Sequence, residues 1–417
     1  MNIVGIITEH NPFHNGHLYH VEQARKLCGA EYVVSVMSGH FLQRGEPALF
    51  NKWARAEMAV LGGVDLVVEL PTAYSVRSAS AFAWGSVAIL DAMGIVTHLC
   101  FGSEAGSVDQ LWPAARLLSD EPAEFKAVLG AALDKGVSYP VARALAVKQY
   151  LEAHGSEEIP GNLFASPNNI LGIEYLKALI TLGSDIQPIA IKRHSAGYHD
   201  AGIVDTNPIA SATSIRDELL SSGRLNEKIR MVVPATTFCV MEHEVFAGRG
   251  PVFIKDCARI LFYLLRNSTE EQLAAILDVN EGLENRIIEA SRLSSTVRDL
   301  ADWVKTKRYT WTRIQRIMAH ILLGYKQDMA AIFDQTGPLY IRVLGLSAKG
   351  RTLIKTIKKE AVVPVITRTA PYLNQAGDTS DMLQFDVKAT DIYTLLYPSA
   401  APALPGLDTK IMPFVGD

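Results

Sequence analysis

The sequence predicts an α/β fold in which a parallel sheet comes first and a mostly helical, basic C-terminal region with a small α/β unit follows. Three observations lead there. Short apolar, β-branched runs alternate with helix-patterned segments through the first half, as βαβ units on a parallel sheet do. Polar turns bearing histidine, glycine and asparagine follow those runs directly, at the edge where a parallel sheet gathers ligands. Beyond Asp217 helical periodicity takes over, and residues 303–360 carry twelve Lys and Arg against three Asp and Glu.

The first unit spans residues 2–29. Ile3, Val4, Ile6 and Ile7 read as a buried strand, residues 8–15 as a polar turn, and Leu18, Val21, Ala24 and Leu27 as one helix face. Gly29 stands where a C-cap glycine belongs. Residues 32–37 form the second strand. A polar loop follows at 41–50, then a helix from about Asn51 with Trp53, Met58 and Leu61 as its apolar residues. A third strand at 65–70 stops at Pro71, a helix of small residues covers 75–93, and a fourth strand at 97–101 runs into Gly102-Ser103-Glu104. The loops after strands one, two and four are expected to face one crevice, in a Rossmann-like arrangement. Residues 111–154 read as helices inserted into or covering the sheet.

Ser166-Pro167-Asn168-Asn169 caps a helix carrying Ile170, Leu171, Ile173, Leu176 and Leu179. A strand at 186–191 ends in Lys192-Arg193-His194. Residues 209–216 lead into another helix, for which Ser214 to Asp217 fits a capping box. Further on, Ile260, Leu261, Leu264 and Leu265 mark one helix and Leu273, Ala275 and Ile276 another. A strand at 339–344, a basic helix from Ser347 and a strand at 362–366 make the small α/β unit.

With 417 residues, the chain is long enough for two or three domains. It is 48% hydrophobic and 20% charged, an ordinary globular composition, and its net charge of −4 confines any nucleic-acid site to a local patch. No apolar run reaches membrane-spanning length, and no basic segment precedes the first hydrophobic run, so a cytoplasmic location is expected. Cys28, Cys100, Cys239 and Cys257 lack CxxC spacing, which argues against a zinc site or a disulfide framework.

The chemistry concentrates at His14-Asn15-Gly16-His17. A strand feeding a helix puts free N–H groups and the positive dipole end at the sheet edge, an anion site. Two imidazoles three residues apart there suit a triphosphate, where charge grows on leaving oxygens. Gly16 is expected to let a ligand approach the backbone. A second helix start, with Ser211, Thr213 and Arg216, offers another phosphate grip. Taken alone, each feature also reads as a helix cap.

HNGH at 14–17 with SATSIR at 211–216 resembles the HIGH-containing nucleotidyltransferase superfamily. More closely, GIITEHNPFHNGHLYH, SGHFLQRGEPALFNKWARAEMA, DLVVELP, FGSE, SPNNILGIEYLKAL, IKR and IASATSIR are similar to the tRNA(Met) cytidine acetate ligase family, over essentially the whole chain. The resemblance implies ATP binding along Ile7, Thr8, Glu9, His10, Asn11, Pro12, Phe13, His14, Asn15, Gly16, His17, Leu18, Tyr19 and His20. It extends the site to Gly102, to Asn168 or Asn169, and to Arg193. It implies that acetate and ATP, with Mg²⁺, give acetyl-adenylate, whose acetyl group passes to the wobble cytidine of elongator tRNA(Met). His14 and His17 would be catalytic, and Arg193 and Arg216 would neutralise pyrophosphate. Residues 1–220 would then be the catalytic domain, with a helical insertion at about 107–165, and residues 221–417 the tRNA-binding region.

The basic stretch supports an RNA partner. Arg313, Arg316, Lys355, Lys358 and Lys359 are its candidate contacts, with Tyr309 and Trp311 interleaved for base stacking. A small-molecule adenylyltransferase would explain both motifs but not this stretch. A non-catalytic RNA- or nucleotide-binding protein would not need both phosphate grips. No KMSKS-like string and no GxxxxGK[ST] loop occurs, against an aminoacyl-tRNA synthetase and a P-loop machine.

Overall fold

Strands form where β-branched runs can be buried on both faces, and helices where an apolar stripe returns every three to four residues. The computed structural model describes residues 1–155, 163–193, 203 and 208–416. In chain order the first half gives β1 Ile3–Thr8, α1 Asn15–Leu27, β2 Tyr32–Ser38, α2 Lys52–Leu61, β3 Leu66–Leu70, α3 Thr72–Ser75, α4 Ala79–Ala92 and β4 His98–Ser103. It continues with α5 Val108–Asp120, α6 Ala123–Asp134, α7 Tyr139–Ala153, α8 Pro167–Leu182, β5 Gln187–Lys192 and α9 Ala212–Ser222. The helical region is α10 Glu227–Val232, α11 Ala235–Phe246, α12 Ala258–Asn267, α13 Glu270–Ala274, α14 Leu283–Leu293, α15 Val297–Val304, α16 Trp311–Leu323 and α17 Gln327–Thr336. The chain closes with β6 Ile341–Leu346, α18 Ala348–Glu360, β7 Val365–Ile366, α19 Ala370–Leu373, α20 Asp378–Thr394, α21 Leu407–Lys410 and β8 Phe414–Val415.

The strands share one sheet in the order β5-β4-β1-β2-β3-β6-β7, with β8 beside β6. From β5 to β3 every pairing is parallel. The chain winds from β1 through β2 to β3, then crosses back so that β4 lies on the other side of β1. A crevice opens at such a reversal, outside the carboxyl ends of the strands. The site is set there.

Side chains along the strands alternate between two cores, as a period of two requires. Ile3, Val34, Val36, Leu66 and Val68 face one, beneath α4, α5 and α8 and continuing into the C-terminal helices. Val4, Ile6, Val33, Met37 and Val67 face the other, beneath α1, α2, α9 and α11. Each fully buried side chain of this kind contributes roughly 1.5–3 kcal/mol.

Several elements differ from the sequence reading. The expected strand–helix–strand unit at 339–366 does not stand apart: β6 pairs antiparallel with β3 and extends the first sheet. The expected helix at 75–93 breaks around Arg77, because Ser78 starts α4 by accepting from Ala81 N and Arg77 pairs with Asp334 at 3.0 Å. The start of α9 lies three residues early. Ser211, not Ser214, is its N-cap and accepts from Ser214 N at 3.0 Å, so the Ser214–Asp217 box does not form. Leu27 and Leu61, expected on buried faces, are exposed at helix ends. His194 lies outside the described residues. Among those described, all four cysteines are free and no helix is long and apolar enough to cross a membrane.

Candidate active site

The turn after β1 is built to start a helix with two histidines. His14 is the N-cap of α1 in extended backbone, and its Nδ1 accepts from Gly16 N at 3.0 Å. His17 reaches back, its Nδ1 accepting from His14 N at 3.3 Å. The rings lie 3.8 Å apart, centroid to centroid. Both capping roles therefore exist, and they set the tautomer of each ring. A neutral imidazole whose Nδ1 accepts must carry its proton on Nε2. Burial, with Arg193 and Arg216 nearby, lowers His14 to about 3. Burial and the adjoining imidazoles hold His17 well below its ordinary value. The cap thus fixes two neutral rings as Nε2–H donors.

Gly16 has a different reason from the expected one. A Cβ there would lie 2.8 Å from Cε1 of His14, so the missing side chain makes room for the folded-back imidazole. Gly102 plays a like part on β4, where a Cβ would come 3.1 Å from Cγ of Arg193. Arg193 N donates to Ser103 O at 3.0 Å, and Arg193 Nη1 donates to Asn168 Oδ1 at 3.1 Å.

The two asparagines at the start of α8 have separate jobs. Asn168 lines the cavity and donates to Glu104 Oε1 at 2.6 Å. Asn169 is 2% exposed, and its Oδ1 accepts from Ser103 Oγ and Ala105 N, both at 3.0 Å. It ties α8 to the loop after β4 and has no acceptor left for a ligand on that oxygen.

These groups open onto one cavity of about 860 Å³. Of the expected ATP-binding residues, Ile7, Thr8, Glu9, His14, Gly16, His17, Tyr19, His20, Gly102, Asn168, Arg193 and Ser211 line it. His10, Asn11, Pro12, Phe13, Asn15, Leu18, Asn169, Thr213 and Arg216 stand outside the lining and support it. Asn11 Oδ1 accepts from Leu49 N at 2.7 Å, and Asn15 Nδ2 donates to Pro208 O at 2.8 Å and Met231 O at 3.1 Å. Arg216, expected at pyrophosphate, donates to Asn11 O at 3.1 Å and to Thr213 Oγ1 at 3.3 Å, with Glu46 at 3.7 Å. Glu9 lies at the end of β1, where burial raises its carboxyl and Gln43 N donates to it at 2.8 Å.

Helix starts converge on this space: the N-terminal residues of α1, α4, α7, α8, α9 and α16 all contribute lining. Aligned N–H groups and dipoles there favour a polyanion. Arg143, Lys177 and Tyr175 also line the cavity and were missed by the sequence reading because no local motif marks them. The ion pair of Arg143 on α7 with Glu174 on α8, at 2.5 Å, forms only in the fold. Of the expected RNA contacts, Arg313 and Arg316 sit in the wall of this same cavity. Lys355, Lys358 and Lys359 are exposed on α18, which begins against Asp65 and ends against Ala92. Both anchors precede strands, so α18 lies at the sheet edge opposite the cavity. Tyr309 offers no open face for stacking: it is buried, its hydroxyl donates to Glu281 at 3.0 Å, and Arg313 covers its ring. Trp311 is half-buried against the core.

Comparison with known proteins places this site in a lineage. The family profile described as HIGH Nucleotidyl Transferase matches residues 1–404. The tRNA(Met) cytidine acetate ligase of Acetivibrio thermocellus is 44% identical over 407 residues, covering 96% of each chain. That of Caldanaerobacter subterraneus subsp. tengcongensis is 44% identical over 401 residues, covering 96% of this chain and 97% of its own. Among solved structures, Thermotoga maritima TmcAL bound with alpha-thio ATP superposes with a TM-score of 0.92 at 34% identity, and the apo form with 0.94 at 36%, each covering 100% of both chains. The chain belongs to the HIGH nucleotidyltransferases and, within them, to the tRNA(Met) cytidine acetate ligase family.

Proposed function

We propose that this protein is an ATP-dependent ligase that activates acetate as acetyl-adenylate and acetylates the wobble cytidine of elongator tRNA(Met) to N-acetylcytidine, in the cytoplasm. The observation that carries the reading is the pair of neutral Nε2–H imidazoles over the start of α1, beside Arg193, in a cation-lined cavity. In the first step an acetate oxygen attacks the α-phosphorus in line and pyrophosphate leaves. His14 and His17 are catalytic by donating to oxygens that gain charge, without first losing or gaining a proton. Arg193 and the N–H groups of α1 and α9 hold the phosphates, and Arg216 keeps the turn at Asn11 in place. Asn168 and Gly102 line the nucleotide.

Among the described residues no three His, Cys, Asp or Glu side chains converge on a metal position. Mg²⁺ commonly binds through one or two carboxylates plus substrate phosphates, a set that Glu9 fits. Mg²⁺ would therefore enter with the nucleotide and offset its phosphate charge.

In the second step the exocyclic amine of cytidine attacks the acyl carbon, sheds its proton, and AMP leaves. Arg313, Arg316, Lys355, Lys358 and Lys359 are the proposed tRNA contacts, so residues 221–417 supply RNA binding to a catalytic region at 1–220. A test needs no RNA at first. Acetate should drive exchange of labelled pyrophosphate into ATP. Exchange that ignores acetate but follows another acid or a phosphorylated coenzyme precursor would replace this reading with a small-molecule adenylyltransferase.

A further inference from the structure

Among the cations in and around the cavity, two groups are set against different neighbours. Arg193 and Arg216 bear on His14, and Arg193 alone of the arginines bears on His17 and His20. Arg313 and Arg316 form the second group, on the first turns of α16, and the charges around Arg316 are Asp278, Arg313 and Arg77. Of the nearby acids, Asp334 pairs with Arg77, while Asp278, 3.8 Å from His320, is the carboxylate that bears on Arg316 without forming a close ion pair with it.

Among the described residues Arg316 therefore makes no close ion pair, and Asp278 acts on it only at longer range. Burial, reinforced by Arg313 and Arg77 against Asp278, lowers its guanidinium from its ordinary value. Its Nε is buried and makes no hydrogen bond, and the same holds for Nε of Arg313. Yet the surroundings are rigid. Arg313 lies 4.9 Å over the Tyr309 ring and donates to Asn280 Oδ1 at 2.8 Å and Asp278 O at 3.2 Å. Gly45, at φ +80, packs so closely that a Cβ would lie 2.4 Å from Arg316 N. A half-buried guanidinium with a buried, unbonded Nε and no close ion pair stands to gain from an arriving anion.

We propose that Arg316, backed by Arg313 and by Thr310 and Thr312 at the start of α16, is a phosphodiester site separate from the triphosphate wall. It holds the backbone phosphate flanking the acceptor cytidine while the unstacked base reaches toward the adenylate. This rests on the acetylcytidine reading above. Single-stranded RNA loops are recognised in this way, by gripping the backbone and splaying out a base. Guanidinium is suited to the task because it donates in a planar fork to two phosphate oxygens.

The test uses the full chain and two half-reactions. Acetate-dependent ATP–pyrophosphate exchange is measured without RNA. Acetyl transfer is measured to an anticodon-loop oligonucleotide whose phosphate beside the target cytidine is either natural or a neutral methylphosphonate. Arg316→Ala should leave exchange within about twofold and raise the KM for RNA on the order of ten- to a hundredfold, the worth of one charged hydrogen-bonded contact. Arg316→Lys should recover part of the loss. The methylphosphonate should penalise the wild type by a similar factor and add little to Arg316→Ala. Exchange that falls together with transfer assigns Arg316 to the triphosphate and overturns the proposal. Equal methylphosphonate penalties in wild type and variant overturn it too. Failure of the wild type to exchange with acetate instead removes the underlying function.

Discussion

At the scale of single residues, His14 and His17 each combine a structural bond with a proposed chemical one. Nδ1 closes the helix cap, which leaves Nε2–H free to donate, in the proposed reaction to phosphate. His14→Ala or His17→Ala should reduce acetate-dependent exchange on the order of a hundredfold or more. The cap itself is worth about 1 kcal/mol, so a modest fall in Tm should accompany His14→Ala without unfolding. Rate and melting curves together check both. A pH effect follows from the same burial. His14 is lowered from 6.5 to about 3 and His20 from 6.5 to about 4, each by burial with Arg193 nearby. A depressed histidine binds fewer protons folded than unfolded, so its stability is intact above pH 6.5 and drains away as pH falls toward the folded value. Tm should therefore drop steadily below about 6.5, while exchange shows no histidine-like step between pH 6.5 and 8. A rate that climbs as the imidazoles become protonated would contradict the neutral-donor assignment.

At the scale of elements, the site is a set of helix starts fastened to strand ends, and neighbouring residues there have unlike duties. Asn169→Ala should cost about 1–3 kcal/mol by leaving Ser103 and Ala105 without their acceptor, with activity falling mainly through stability. Asn168→Ala should melt close to wild type and lose exchange, because Asn168 faces the cavity and holds Arg193. Denaturant unfolding and exchange assays separate the two. The sequence alone left this pair undecided, since both asparagines sit on the first turn of one helix and only their tertiary partners differ. The β1–α1 unit, by contrast, was legible: its strand run, polar turn and Gly29 are local signals, and β1 with α1 fall where they indicate. The start of α9 was not, because Ser211, Thr213 and Ser214 are all competent caps. Burial of Ala210 and Ile215 against the second core selects Ser211.

At the scale of the whole molecule, the C-terminal region is part of the sheet that carries the site. Lys52 lies 2.8 Å from Glu69 and 2.7 Å from Asp408, and Arg342 pairs with both acids, all four side chains buried. Burial would raise the Asp408 carboxyl, but Lys52 and Arg342 hold it below the usual range. Lys52→Met strands buried carboxylates and should cost about 3–5 kcal/mol in denaturant unfolding. No local pattern announces this network, since Glu69 and Arg342 meet only when β6 pairs antiparallel with β3. For the same reason the basic count of residues 303–360 overstated the free charge, Arg342 being spent on the ion pairs. The exposed remainder can still be weighed. Charge reversal at Lys355, Lys358 and Lys359 should weaken tRNA binding without altering exchange, and lower the salt slope by about one for each phosphate no longer neutralised. An unchanged slope would make α18 a solvated face and leave RNA binding to the cavity side. The most direct measurement is to incubate the protein with ATP, labelled acetate and bulk tRNA, digest the RNA to nucleosides and find the label. The expected result is labelled N-acetylcytidine that requires ATP and is not formed from acetyl-CoA without it. Robust acetylation by acetyl-CoA in the absence of ATP, or label absent from cytidine, would contradict it.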